Sequence, residues 1–218
     1  MMFPFSKSGS RSDAFTLMEL LAVIVVIGIL AALLFPAVRS ARLAANKART
    51  RVQFNQWAAA IEGFRSEYGY YPAFHGSNLV NPVGQNSDPS TLHLFHDLLT
   101  ARRRDGSVLP AYATTTNPQF PEVQNRRLIS FHSFGDGDFT SDNLIKDACD
   151  TTAIAVLVDR DLDGVIKAGS DFTTLPAVNG LTPTIADFPA AGIRAGVVFY
   201  SASPNASTAN PEFNFSWK

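Results

Sequence analysis

From Leu20 to Phe35 no position is charged or strongly polar, and counting back to Phe15 lengthens the apolar run to 21 residues. That is close to the roughly 20 a helix needs to cross a bilayer. One carboxylate, Glu19, sits inside the run. An acidic side chain at membrane depth costs ~2.5–3.5 kcal/mol on insertion scales near a helix centre, so it calls for a partner. Beyond Pro36 the helical pattern continues to Tyr68, where Gly69 and Pro72 end it. Two stripes share this stretch. Val38, Ala41, Ala45, Ala48 and Val52 form a small-residue seam at 3/4 spacing; Phe54, Trp57, Ile61, Phe64 and Tyr68 form a bulky one. At about 100° per residue they lie roughly 160° apart around the axis. The bulky stripe is expected to face a head carried on the same chain, and the seam to leave that head toward the membrane and admit close helix–helix contact.

After Pro72 the pattern becomes short and mixed. A helix is predicted over Asp88–Arg103, with Asp88 as its cap, Pro89 at its first position and Leu92, Phe95 and Leu99 on its buried face. Strands are predicted over Arg127–Phe134, Ala153–Val158, Val165–Lys167, Ala195–Ser201 and Phe213–Trp217. Loops rich in Gly, Pro, Asn, Ser and Thr fill 76–90, 113–121, 169–192 and 202–211. The expected class is α+β, with a small antiparallel sheet packed on the aromatic half of the long helix.

Of 218 residues, roughly 150 remain for the head, enough for one domain with its own core. A net charge of −1 points to no nucleic-acid partner. The basic residues Arg39, Arg42, Lys47, Arg49 and Arg51 form a solvated helix face or a contact for lipid headgroups. Cys149 is the single cysteine, so no intrachain disulfide forms.

The sharpest chemical pattern in the head is Asp159-Arg160-Asp161-Leu162-Asp163-Gly164. Asp159, Asp161 and Asp163 in a D-x-D-x-D-G loop suit a hard cation with oxygen ligands, and calcium is the candidate. The twelfth position holds Ser170 where a bidentate Glu would stand, and a strand precedes the loop, so a plain Asp/Gly turn is the competing reading. Gly135-Asp136-Gly137-Asp138 with Asp142 reads as a solvated turn. His93 and His96 have a spacing zinc can use but no third ligand nearby. Arg102–Arg104 read as a helix end complementing its dipole. No nucleophile elbow, phosphate loop, Cys–His pair or paired-carboxylate motif occurs, which argues against an enzyme.

Ahead of the apolar run stands MMFPFSKSGSRSDA. The run is longer than the 7–15 residues of a secretory signal, and no clean A-x-A site follows it. Phe15-Thr16-Leu17-Met18-Glu19-Leu20, with its short leader and with Pro36, resembles the N-terminus of type IV pilins and type II secretion pseudopilins. The resemblance implies a pilin-like fold and four regions: a leader at 1–14, a transmembrane helix at 15–36, its amphipathic continuation at 37–70 and a globular head at 71–218. It implies cleavage between Ala14 and Phe15 by a prepilin peptidase that also methylates the new amine of Phe15. The residue before the cut is normally Gly; Ala14 is the smallest step away, and slower cleavage is expected. It further assigns assembly to Phe15, Glu19 and Pro36, with Glu19 neutralising the Phe15 amine of an adjacent subunit. FRSEYGYYP at 64–72 and the tail at 198–217 resemble major pseudopilins. The acidic pattern that holds calcium in the tail of such relatives is missing here, so calcium is not expected at 201–214.

The function implied is a structural subunit of a pseudopilus or type IV pilus-like filament. Its partners would be the prepilin peptidase, other pilin or pseudopilin subunits and the inner-membrane assembly platform. The orientation would be N-terminus cytoplasmic, head periplasmic. Lys/Arg counting opposes this, because the leader carries two basic residues and the other flank five. Large domains translocate despite flanking charge, and the family's orientation is preferred. The alternative is a single-span periplasmic binding module with a calcium-dependent head.

Overall fold

A computed structural model describes residues 17–74, 78–82, 93–110, 120–184 and 186–218. Helix α1, Leu17–Tyr68, runs for 52 residues and passes Pro36 without ending. It stops where expected: Gly69 takes φ +79°, and its N–H closes on the carbonyl of Arg65 at 2.7 Å. A left-handed residue just past the last turn is how glycine terminates helices. The chain divides into two compact units, Met1–Leu43 and Ala44–Lys218.

In the first unit the described residues are all part of α1, and none of them is buried. In the second, the bulky stripe builds the core. Phe54, Trp57, Ile61 and Phe64 are at most 1% exposed. They pack on a three-stranded antiparallel sheet, β1 Ile154–Val158, β2 Val197–Ala202 and β3 Phe213–Phe215, in the order β1-β2-β3. Register pairs Val156 with Phe199 and Ser201 with Asn214. Phe199 stacks on Phe54 at 5.5 Å and meets the edge of Trp57 at 5.7 Å. Ring pairs at such offsets add to what burial alone contributes.

Successive strand residues face opposite ways. Ile154, Val156, Val158, Val197 and Phe199 join the α1 core, while Ala155, Leu157, Val198, Tyr200 and Phe215 join a second one. That second face is covered by 166–193, through Ile166, Phe172, Val178, Leu181, Phe188 and Ile193. Burial on both faces explains why the strands read as unbroken apolar runs.

Several expected elements are corrected. Among the described residues the short helix is α2, Leu94–Thr100, ended by Ala101 at φ 58°; Asp88, Pro89 and Leu92 lie outside the described residues. A one-turn helix α3, Pro121–Gln124, was not anticipated. Arg127–Phe134 forms no strand. Its main chain is taken up locally: Asn125 donates to the carbonyl of Ile129 and accepts from its N–H at 2.8 and 3.0 Å, and the N–H of Phe131 goes to the carbonyl of Leu99 at 2.7 Å. Val165–Lys167 reduces to one bridge, Ile166 to Ile193.

Candidate functional site

The membrane-spanning candidate is the first part of α1, the one described helix long and apolar enough to cross a bilayer. Leu17 is 83% exposed and Phe35 75%. A continuous apolar surface of this extent marks a lipid or protein contact. Glu19 is exposed in the first turn of α1, where a carboxylate meets the positive end of the helix dipole. Pro36 withdraws one N–H from the ladder and crowds the carbonyl of Ala32. Such a residue is tolerated in membrane helices because neighbouring helices and small backbone adjustments satisfy the freed carbonyl. Ala14 and Phe15 lie outside the described residues.

The second candidate is the acidic loop after β1. Asp159 enters it with its N–H on the carbonyl of Gly196 at 2.9 Å. Its carboxylate accepts the N–H of Gly164 at 2.8 Å and of Asp163 at 3.2 Å. Leu162 and Gly164 sit at φ +62° and +84°, and only the glycine adopts that region without cost. The ligand atoms of Asp159, Asp161 and Asp171 lie within 4.8 Å of one another, a set found nowhere else among the described His, Cys, Asp and Glu residues. Asp163 is engaged elsewhere, in an ion pair with Lys167 that holds its carboxyl below the ordinary value. Asp171 stands as the third member of the set. It binds the N–H of Arg160 at 2.6 Å and of Lys167 at 2.9 Å.

Both Asp159 and Asp171 are 1% exposed. Burial pushes the Asp159 carboxyl upward, and Asp161 and Asp171 push the same way, against the donors of Gly164 and Asp163. Three carboxylates in so small a space are relieved by a shared proton or by a hard cation. A cation would use the lone pairs left free by the main-chain bonds. Asp171 was missed from the sequence because it lies beyond the D-x-D-x-D-G run. Its signal was a lone Asp beside Phe172 in a Gly/Ser turn.

The remaining candidates make contacts within the head. His96 Nδ1 lies 2.8 Å from Asp97 Oδ1, both buried, and burial lowers the pKa of His93. Asp138 closes a tight turn by accepting the N–H of Gly135 at 2.8 Å, and Asp142 is exposed. Arg102–Arg104 fall past the end of α2: Arg103 approaches Glu122 at 3.7 Å and Arg104 lies 3.6 Å over the Phe139 ring. Also unanticipated is a buried polar cluster under α1. Thr50 bonds Cys149 Sγ at 3.7 Å, and Ser201 donates to Asp147 at 2.6 Å. Asn214 contacts both Cys149 and Ser201. Glu212, in the tail loop, pairs with Lys47. Ser201, polar within an apolar strand, was the available signal.

A family model described as the prokaryotic N-terminal methylation motif matches residues 9–35. That motif is the hallmark of type IV pilins and pseudopilins, and this chain carries it ahead of an α+β head whose sheet packs on the long helix. No curated protein and no solved structure matches the chain.

Proposed function

We propose that the chain is a structural subunit of a pseudopilus or type IV pilus-like filament. It is stored in the inner membrane with its N-terminus cytoplasmic and its head in the periplasm. A prepilin peptidase cuts between Ala14 and Phe15 and methylates the amine, and the assembly platform then polymerises the subunit with others of its kind. The observation that carries this reading is the methylation motif ending in an apolar helix whose surface is left exposed. Once the leader is gone, the Phe15 ammonium and the Glu19 carboxylate stand at similar depth in a medium where charge is tolerated chiefly in pairs. Pairing them between subunits sets the axial register of the polymer. Glu19→Ala is therefore expected to give a protein that folds and inserts yet is not incorporated into filaments, as read by shearing and immunoblotting. Normal incorporation of that variant rejects the pairing.

A second reading, a membrane-anchored binding module with a calcium-dependent head, is favoured by the Asp159, Asp161 and Asp171 set. Asp163 would serve it only by leaving Lys167. It predicts a monomer that keeps its leader.

A further inference from the structure

Arg39 and Arg42 follow directly on the apolar span and are exposed. They stand three apart on one helix, so they are neighbours on its surface and repel each other. The sequence offers no relief: between Glu19 and Glu62 there is no carboxylate at all. Among the described residues neither arginine makes a hydrogen bond or ion pair, in contrast to Lys47, which engages Glu212. Two neighbouring guanidinium groups with every N–H free form an anion-binding pair, and phosphate suits their forked donor geometry best.

Position says which phosphate. From Leu17 to Val38 the helix rises about 32 Å at ~1.5 Å per residue, a little more than the ~30 Å hydrocarbon layer. Arg39 and Arg42 then fall about 3 and 7.5 Å beyond that layer, inside the headgroup region, which adds some 5–8 Å on each side. We propose that Arg39 and Arg42 together bind the phosphate of anionic phospholipids and so fix the depth of α1 before assembly. The pair is a depth stop, and drawing the subunit out of the bilayer has to break it. This rests on α1 spanning a membrane.

The test uses the full chain in bilayers of phosphatidylcholine containing spin-labelled phosphatidylglycerol or spin-labelled phosphatidylcholine, with flotation as a check on insertion. The wild type is expected to prefer the anionic label by roughly five-fold or more, the gain a single arginine gives at an anionic surface. Arg39→Gln/Arg42→Gln should insert equally well but lose the preference, while Arg49→Gln/Arg51→Gln, further along the chain, should keep it. Inorganic phosphate at millimolar concentration should leave it unchanged. A preference that survives Arg39→Gln/Arg42→Gln, or that free phosphate abolishes, overturns the headgroup site while leaving the anchor intact. A chain that fails to float with any vesicle overturns the membrane reading itself.

Discussion

The two ends of α1 obey opposite rules. Around Trp57 the helix presents bulky residues that are nearly all buried within the second unit; around Leu30, in the first unit, it presents residues of equal apolarity that no other described residue of that unit covers. Apolar burial is the main drive to fold, and the first end takes it within one molecule. The other end has the same drive and no outlet among the described residues of its unit, and lipid or further helices would supply one. Hydrophobicity alone does not separate the two, and neither does size, since Ile27, Leu30 and Leu34 are as exposed as they are large; aromatic content does, and between the ends, over 38–52, the side chains become small. A seam of Ala with Val52 suits backbone approach between like helices, whereas Phe, Trp and Ile fill the volume over a sheet.

Substitution at the buried end should show the larger effect. Trp57→Ala removes a side chain that contacts Phe54, Phe95, Phe134 and Phe199. The expected loss is about 3–5 kcal/mol in denaturant unfolding. Val52→Ala, 57% exposed on the opposite stripe, should change stability by no more than about 0.5 kcal/mol. Comparable losses from both would erase the distinction between the ends.

The second layer of the head offers a smaller effect. Asp171→Ala deprives the N–H groups of Arg160 and Lys167 of their acceptor, at an expected cost of about 1–3 kcal/mol. If calcium occupies the acidic set, calorimetry on the wild type shows heat and a higher melting temperature, and both vanish in this variant. No heat with the wild type retires the calcium reading.

The smallest expected effect concerns Asp147, whose carboxyl burial raises above its ordinary 3.8. A raised folded pKa means a contribution to stability that is full below pH 3.8 and is lost as pH climbs through the folded value. From about pH 4 to neutrality the wild type should therefore lose stability relative to Asp147→Asn. An identical pH profile for the two proteins would rule out Asp147 as a titrating group.

Much of this contrast was legible in the sequence. The helix end at Tyr68, both stripes and the three strands follow from periodicity, turn residues and apolar runs. The layer over 166–193 was not, because it is held by single bridges and by side chains such as Asp171 rather than by any repeating pattern. Arg127–Phe134 misled for a related reason. Its apolar alternation resembles a strand, but Asn125 and the carbonyl of Leu99 capture its backbone first. In the acidic loop, spacing identified Asp159 and Asp161, but only the folded chain brings Asp171 to them and turns Asp163 toward Lys167.

The central claim is that the exposed end of α1 is finished by other subunits once a new N-terminus has been made. Mass spectrometry of the N-terminal peptide from membrane-extracted protein tests it most directly. A peptide beginning at Phe15 with one added methyl group is the predicted result. A peptide beginning at Met1 or Met2 would contradict it.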